Sequence, residues 1–226
     1  ELPPRAVEFV VADVPPFGWK KVRLTPSEAH PDEVDAGATI ELEGITLGVA
    51  LDGTFDLTIS NRTYQGLLAV EDHGDRGDTY DFDPVAGGIL QPESVTVERT
   101  RHANGVLSLR SRRCFEIPVG LTQDRTSRLG ETVVLEVDCL ARLVPGTGRV
   151  DLSLHMVDPG KDHRLRLLFP TGEPMASFAA STTLDVVERS TVARASRDWV
   201  HQAPQTFCHQ GFVTAGGLCV GAPGLP

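Results

Sequence analysis

A short acidic segment, residues 71–84, gathers the residues best suited to chemistry in this chain. Its sequence, EDHGDRGDTYDFDP, places six carboxylates and one tyrosine in fourteen positions. Gly74 and Gly77 allow backbone angles with positive φ, and Asp75 and Asp78 can hydrogen-bond their own turns. The pattern predicts an ordered loop rather than a strand. Because loops on a rigid scaffold often carry binding residues, we expect a polar partner to approach it.

Different chemical interpretations of this segment have different requirements. A glycosidase needs two carboxyl groups about 5–10 Å apart across the sugar, and crowding on one loop opposes that geometry. A calcium loop needs acids at fixed positions, which the segment lacks. An exposed acidic hairpin end needs only solvent, as most charge runs do. These residues are compatible both with a binding loop and with a solvated hairpin end.

Other short motifs are less informative. His30, Pro31 and Asp32 have the spacing of some metal sites, but they lie in an acidic, proline-containing connection without rigid support. Arg76-Gly77-Asp78 matches the integrin-binding tripeptide, a motif so short that it often occurs by chance. The chain contains no G-x-S-x-G elbow, phosphate-binding loop or dinucleotide fingerprint. We expect no metal site in this chain.

The elements that must position the acidic segment are β-strands. In residues 133–143 every odd position is apolar, which is the two-residue period of a half-buried strand. After a turn at 145–148, apolar residues alternate again over residues 150–156, so the two runs predict a hairpin. No long helical window competes, and we expect residues 172–182 to form a loop or one short helix. The sequence predicts an all-β, multi-stranded antiparallel sandwich, with a possible subdivision near 125–130.

Composition and charge restrict the partners of this chain. Its 226 residues carry a formal net charge of -10, which opposes binding to nucleic acid or to an anionic membrane. The apolar runs are far shorter than the ~20 residues that span a membrane. The cysteines show no CxxC pair or zinc-type spacing, and Cys139 falls on the apolar side of its strand. These features favour reduced thiols and a cytoplasmic location.

Five segments, in order along the chain, carry a resemblance to a known family. They are 13–20 (DVPPFGWK), 51–57 (LDGTFDL), 77–84 (GDTYDFDP), 161–172 (KDHRLRLLFPTG) and 207–213 (FCHQGFV). They resemble motifs of the β-domain that follows the catalytic domain in glycoside hydrolase family 38 α-mannosidases, and the bacterial branch most. The first segment is similar to the strand that leads into that domain.

The resemblance implies a non-catalytic part of a larger enzyme. Family members hold their zinc ligands and aspartate nucleophile in an α/β domain and an adjoining helical bundle, and these residues contain no counterpart of either. Pro16-Phe17-Gly18 is similar to the neighbourhood of that nucleophile, but Pro15 stands where the aspartate would be. We therefore expect residues 1–226 to be a galactose mutarotase-like supersandwich from a retaining, zinc-dependent α-mannosidase. Separated from the catalytic domain, which would hold the zinc, they are expected to be inactive and to bind no cofactor.

The resemblance also assigns a substrate-binding role to Tyr80. In relatives, the tyrosine of this loop contacts the bound mannoside. A phenol suits that task because it offers a flat apolar face and a hydroxyl group. Asp78 and Asp81 are expected to fix the loop or the phenol. The structural alternative is that Tyr80 packs on Phe82 at the end of a strand.

Three other groups of residues are candidates for contact with a sugar. His209 and Gln210 either bind substrate or form a polar strand end that faces the adjoining domain. Trp19 and Trp199 either stack on sugars or pack in a core or between domains. Asp162-His163-Arg164 is expected to be structural, with Asp162 capping a turn. The sequence thus predicts the β-domain of an enzyme that hydrolyses α-mannosides, acting with its own catalytic domain; the alternative is a free-standing carbohydrate-binding module.

Overall fold

The computed structural model describes residues 8–23, 25, 32–78, 80–192, 195–199, 203 and 206–223. These residues form sixteen β-strands and no helix, so none of them belongs to an apolar helix that could cross a membrane. The chain divides into two compact units, unit 1 (Glu1–Phe169) and unit 2 (Pro170–Pro226). The all-β, antiparallel class is confirmed, while the supersandwich arrangement stays a prediction. Residues 125–130, where the sequence suggests a possible subdivision, lie within unit 1.

Unit 1 contains three antiparallel sheets. The four-stranded sheet has the order β2 (Thr39–Leu42), β3 (Ile45–Val49), β4 (Phe55–Ile59), β5 (Arg62–Leu67). The three-stranded sheet has the order β12 (His163–Leu168), β6 (Ala69–Asp75), β7 (Pro84–Ile89). The five-stranded sheet has the order β1 (Glu33–Asp35), β8 (Ser94–Arg101), β9 (Leu107–Pro118), β10 (Thr132–Leu143), β11 (Val150–Val157).

Unit 2 is built on one four-stranded antiparallel sheet. Its order is β14 (Val186–Ser190), β13 (Ser177–Ser181), β15 (Phe212–Ala215), β16 (Leu218–Gly221). β13 lies within residues 172–182, so the expectation of a loop or short helix there was wrong. The reason is tertiary: β13 gains strand pairing on both sides, from β14 and from β15.

The hairpin predicted from alternation is confirmed as β10 and β11. Leu143 pairs with Val150 and Glu136 with Val157, without a shift of register between them. The odd-numbered residues of β10 are buried from Leu135 onward, as expected. In the matching row on β11, Val150 is half-buried and Leu152, Leu154 and Met156 are exposed, because β11 lies at the edge of its sheet.

The five-stranded and three-stranded sheets of unit 1 share a hydrophobic core. Its buried members come from β6, β9 and β10, and they are Val70, Phe115, Ile117, Leu135 and Val137. Burial of each such side chain contributes about 1.5–3 kcal/mol to stability. Cys139 is also fully buried, and desolvation raises the pKa of its thiol to about 12, which confirms it as a small core residue.

A buried arginine anchors the start of β6, the strand that leads into the acidic segment. Arg113 is 1% exposed and donates from Nη1 to the carbonyl oxygen of Leu68 at 2.8 Å. Burial lowers the pKa of its guanidinium. Leu68 has a positive φ of 65°, a conformation that costs an L-residue about 1–2 kcal/mol. Its N–H donates to Leu168 O at 2.7 Å, so both backbone groups are held despite the strain.

Two predictions of local structure were wrong: a loop at residues 71–75 and a strand at residues 13–20. Residues 71–75 belong to β6 rather than to a loop, since they pair with β12 on one side and β7 on the other. In residues 13–20 the structure shows a turn closed by Gly18 N donating to Pro15 O at 3.0 Å, and no strand. His30 and Pro31 lie outside the described residues, while Asp32 accepts a hydrogen bond from the backbone of Ala103.

Candidate functional site

The acidic loop, residues 76–83, joins β6 to β7. Two backbone hydrogen bonds close it: Arg76 N donates to Asp83 O at 2.9 Å, and Asp78 N donates to Asp81 O at 3.2 Å. A side-chain bond of 2.9 Å from Arg76 Nη2 to Asp83 Oδ1 spans the same base. These contacts make the loop a narrow extension of the β6–β7 hairpin.

Two aspartates hold the loop from within. Asp75 Oδ1 accepts the N–H groups of Gly77 at 2.8 Å and of Asp83 at 3.0 Å. Asp78 Oδ1 accepts the N–H groups of Tyr80 at 2.8 Å and of Asp81 at 3.1 Å. Carboxylates that cap backbone N–H groups in this way stabilise turns. Asp78 therefore holds the two backbone N–H groups that flank the Cα atom of Tyr80.

Glycine is required at position 77 by a close approach within the loop. A Cβ atom added there would overlap the carbonyl oxygen of Asp81. Asp81 O is the atom that accepts the N–H of Asp78, so it cannot move away without breaking the loop closure. Any larger residue would open the loop.

The base of the loop is fastened to the three-stranded sheet by a stack around Phe82. The guanidinium carbon of Arg164 lies 3.3 Å from the centroid of the Phe82 ring, a cation–π contact. The imidazole of His73 meets the same ring edge-on, with centroids 6.5 Å apart. Burial, and then the positive charge of Arg166, lower the pKa of Arg164. Phe82 is thus the aromatic residue of the loop that packs against the three-stranded sheet, through Arg164 and His73.

Tyr80 lies at the tip of the loop and is 92% exposed. Its backbone is held by Asp78, as described above, so a fixed backbone presents an exposed phenol. The packing of Tyr80 on Phe82 at a strand end, which was the structural alternative, is not observed. The ring is available to a ligand or to another protein surface.

A buried charge network that the sequence did not predict links β6, the strand that leads into the loop, to its neighbour β12. Asp72 is 0% exposed, and its Oδ1 lies 2.7 Å from His163 Nδ1. His163 Nε2 lies 3.0 Å from Asp158 Oδ1. Arg128 Nη1 lies 2.6 Å from Asp72 Oδ2, which makes them a buried ion pair. Burial alternates along β6, where Val70, Asp72 and Gly74 are all buried, but the sequence of β6 shows no matching apolar alternation.

The segment 162–164 makes structural contacts, but the expected capping of a turn by Asp162 is not among them. Asp162 O accepts the N–H of Asp75 at 2.7 Å, and Asp162 Oδ1 pairs with Arg125 Nη1 at 3.0 Å. Arg125 also donates to Asp75 O at 3.2 Å. The start of β12 is thereby tied to the base of the acidic loop.

The remaining predicted site residues belong to unit 2. His209 is half-buried, and its Nδ1 has no hydrogen-bond partner among the described residues. Gln210 N donates to Ser181 O at 3.1 Å, which attaches this segment to β13. Tyr80, Asp78 and Asp81 belong to unit 1.

Both tryptophans are largely exposed. Trp19 of unit 1 is 82% exposed and Trp199 of unit 2 is 55% exposed, so neither packs in a core. Trp199 and Phe207 line a cavity of about 430 Å³ in unit 2 together with Glu188 and Arg189. An open aromatic wall beside charged groups is a surface on which a sugar can stack.

Three carboxylates at the acidic loop are engaged in holding its own structure. The carboxylates of Asp75 and Asp78 are engaged by backbone N–H groups, and that of Asp83 by Arg76. In the part of the chain that the structure describes, no group of three or more His, Cys, Asp or Glu residues could hold a metal ion. The loop can therefore present a phenol to a polar, flat ligand.

The fold of this chain is similar to part of two solved structures. No protein-family model matches this chain, and no curated protein matches it. It is similar to an alpha-mannosidase from Enterococcus faecalis V583, with a TM-score of 0.67, 24% identity, and coverage of 82% of this chain and 23% of that one. It is also similar to a glycosyl hydrolase family 38 protein from Enterococcus faecalis, with a TM-score of 0.66, 22% identity, and coverage of 84% and 24%. The chain thus spans about a quarter of the length of these structures, and the resemblance to family 38 enzymes is confirmed at the level of the fold.

Proposed function

We propose that this chain is the non-catalytic β-domain of a family 38 α-mannosidase, and that its acidic loop forms part of the substrate cleft. The observation that carries the proposal is Tyr80, a phenol 92% exposed on a loop whose backbone is hydrogen-bonded on both sides. The fold shared with two family 38 structures supports it. The catalytic domain of the same polypeptide supplies the zinc, the nucleophile and the other walls of the cleft.

Each residue of the proposed site has a distinct role. Tyr80 stacks on the mannoside and hydrogen-bonds it through its hydroxyl. Asp78 holds the backbone of Tyr80, and Asp81 contributes the carbonyl oxygen that closes the loop. His209 and Gln210 are further contacts for the substrate. The parent enzyme hydrolyses α-mannosides with retention, and residues 1–226 alone turn over no substrate.

The test uses a protein that joins this chain to its catalytic domain. Tyr80→Ala should lower kcat/KM for an aryl α-mannoside about tenfold or more, which corresponds to ~1.4 kcal/mol of lost transition-state binding. Tyr80→Phe should retain the stacking part of that binding. Phe17→Ala is the matched control, since it removes a fully exposed aromatic residue of the same unit outside the loop. Wild-type kinetics for Tyr80→Ala would refute the role of the loop.

A second function, a free-standing carbohydrate-binding module, is favoured by the aromatic cavity in unit 2. Its walls include the exposed Trp199 and Phe207, with Glu188 and Arg189 beside them. Isothermal titration of the 226-residue chain with mannose and mannobiose separates the two functions. Saturable binding that Trp199→Ala abolishes supports the module. Absence of binding by the isolated chain supports a cleft that needs the catalytic domain.

A further inference from the structure

The outer edge of β11 is open. Among the described residues, β11 pairs only with β10, and the eight pairs from Leu143–Val150 to Glu136–Val157 run without a register shift. Natural edge strands are commonly protected from pairing by lysine, proline or a β-bulge. The sequence of β11, VDLSLHMV, contains no lysine or proline, and its ladder contains no bulge. The strand is therefore a regular template for another strand.

One face of β11 is also apolar and exposed. Leu152, Leu154 and Met156 are 39%, 37% and 40% exposed. In the ladder they lie opposite Ala141, Cys139 and Val137 of β10, which are buried. The apolar face of the sheet thus continues past its covered part, and further burial of these side chains would be favourable.

We propose that β11 pairs antiparallel with β11 of a second copy of this chain, around a two-fold axis at Ser153. In this register Asp151, which also accepts a hydrogen bond from Arg149 Nε of its own chain at 2.7 Å, lies opposite His155 of the second copy, and the reverse pair repeats across the axis. Leu152 lies opposite Leu154 of the second copy, on the apolar face. Opposite charges and apolar pairs at facing positions stabilise antiparallel strands.

Charge selects this register over its neighbours. Side chains that lie opposite each other in an antiparallel pair are on the same face of the sheet. The two-fold axis must therefore pass through a residue of β11, and the alternative registers place it at a different residue. An axis at Leu154 places Asp151 opposite Val157, and an axis at His155 places two imidazoles opposite each other. An axis at Leu152 places Arg149 opposite His155. Among the axes from Asp151 to His155, the axis at Ser153 is the one that places Asp151 opposite a basic side chain.

The strength of the association follows from its size. One pair of eight-residue edge strands buries less than the ~1,600 Å² of a standard protein interface. We therefore expect a reversible dimer with a dissociation constant on the order of micromolar to tens of micromolar. The result is a continuous sheet made from the five strands of each copy.

Sedimentation velocity on the 226-residue chain, from about 1 to about 200 μM, measures the association. We expect a monomer–dimer equilibrium that Leu154→Lys weakens about tenfold or more, since an edge lysine blocks strand pairing. Val134→Lys is the matched control, because Val134 is exposed on a strand of the same sheet but away from its edge. A monomer at every concentration, as expected if a different protein segment covers β11, overturns the proposal. So does a dimer that Leu154→Lys leaves unchanged.

Disulfide trapping tests the register. Ser153→Cys, in a background carrying Cys208→Ser and Cys219→Ser to remove the exposed thiols, should give a disulfide-linked dimer under mild oxidation. Residues paired across an antiparallel ladder have Cα atoms about 4.5–5.5 Å apart, which suits a disulfide. Val157→Cys is the control, because Val157 is exposed and its two copies would lie about 26 Å apart in this register. Equal cross-linking of the two variants, or none with Ser153→Cys, overturns the register.

Discussion

Replacing Asp72 with asparagine should destabilise unit 1 strongly. The change keeps the shape of the side chain but removes a negative charge that is 0% exposed. Arg128, whose side chain is 10% exposed, then loses its charged partner, and His163, whose side chain is 3% exposed, keeps only the carboxylate of Asp158. Breaking a buried pair by removing one member costs about 3–5 kcal/mol. For a unit of this size that corresponds to a fall in Tm of about 6–20 °C.

The measurement is urea unfolding followed by circular dichroism, with hydrogen exchange of the β6 and β12 amides as a readout specific to unit 1. Asp83→Asn is the control, because its pair with Arg76 is 52% and 41% exposed and should contribute at most about 1 kcal/mol. Arg128→Met should cost less in the Asp72→Asn background than alone, since the buried guanidinium has already lost its partner. A loss below about 1 kcal/mol for Asp72→Asn, or additive effects of the two substitutions, would refute this account of the network.

Two further predictions concern β10. Cys139 should stay unreactive toward a thiol reagent at pH 8 while exposed Cys208 reacts, because burial raises the pKa of Cys139 to about 12; rapid labelling of Cys139 in the native protein would contradict its place in the core. For Asp138, burial raises the pKa, but hydrogen bonds and charge from Arg110 and then Arg112 lower it to a net value below its usual one. Its stabilising contribution is therefore present above the unfolded pKa of about 4 and disappears as the pH falls through the folded value. Urea unfolding at neutral and at acidic pH should show Asp138→Asn less stable than wild type only at neutral pH, and an equal deficit at both would count against the ion pairs.

Much of the fold could be predicted from local pattern. The alternation of β10 and the turn after it identify the hairpin with β11, since a two-residue period is visible within one strand. The same alternation placed Cys139 in the core. Residues 172–182 were missed because β13 is short, and its strand conformation depends on pairing with β14 and β15.

The candidate site was predicted in part. Turn chemistry in the sequence identified Asp75 and Asp78 as supports of an ordered loop, because an aspartate capping its own turn needs no distant partner. The part played by Phe82 could not be predicted, since its partner Arg164 lies on β12, far along the chain. The family resemblance singled out Tyr80, and the structure adds that its side chain is exposed.

By itself, the sequence determined the all-β class, most of the strand periods and the chemistry of the loop, since these depend on neighbouring residues. Only the tertiary structure decided which of these rows are buried and which charges are paired. Asp72 looks in the sequence like one more acid of an exposed run, yet it is buried because β12 brings His163 against it from 91 positions away. The apolar row of β11 looks like core, yet it is exposed because β11 is the last strand of its sheet. Burial and ion pairing are set by contacts between distant segments, which no local pattern encodes.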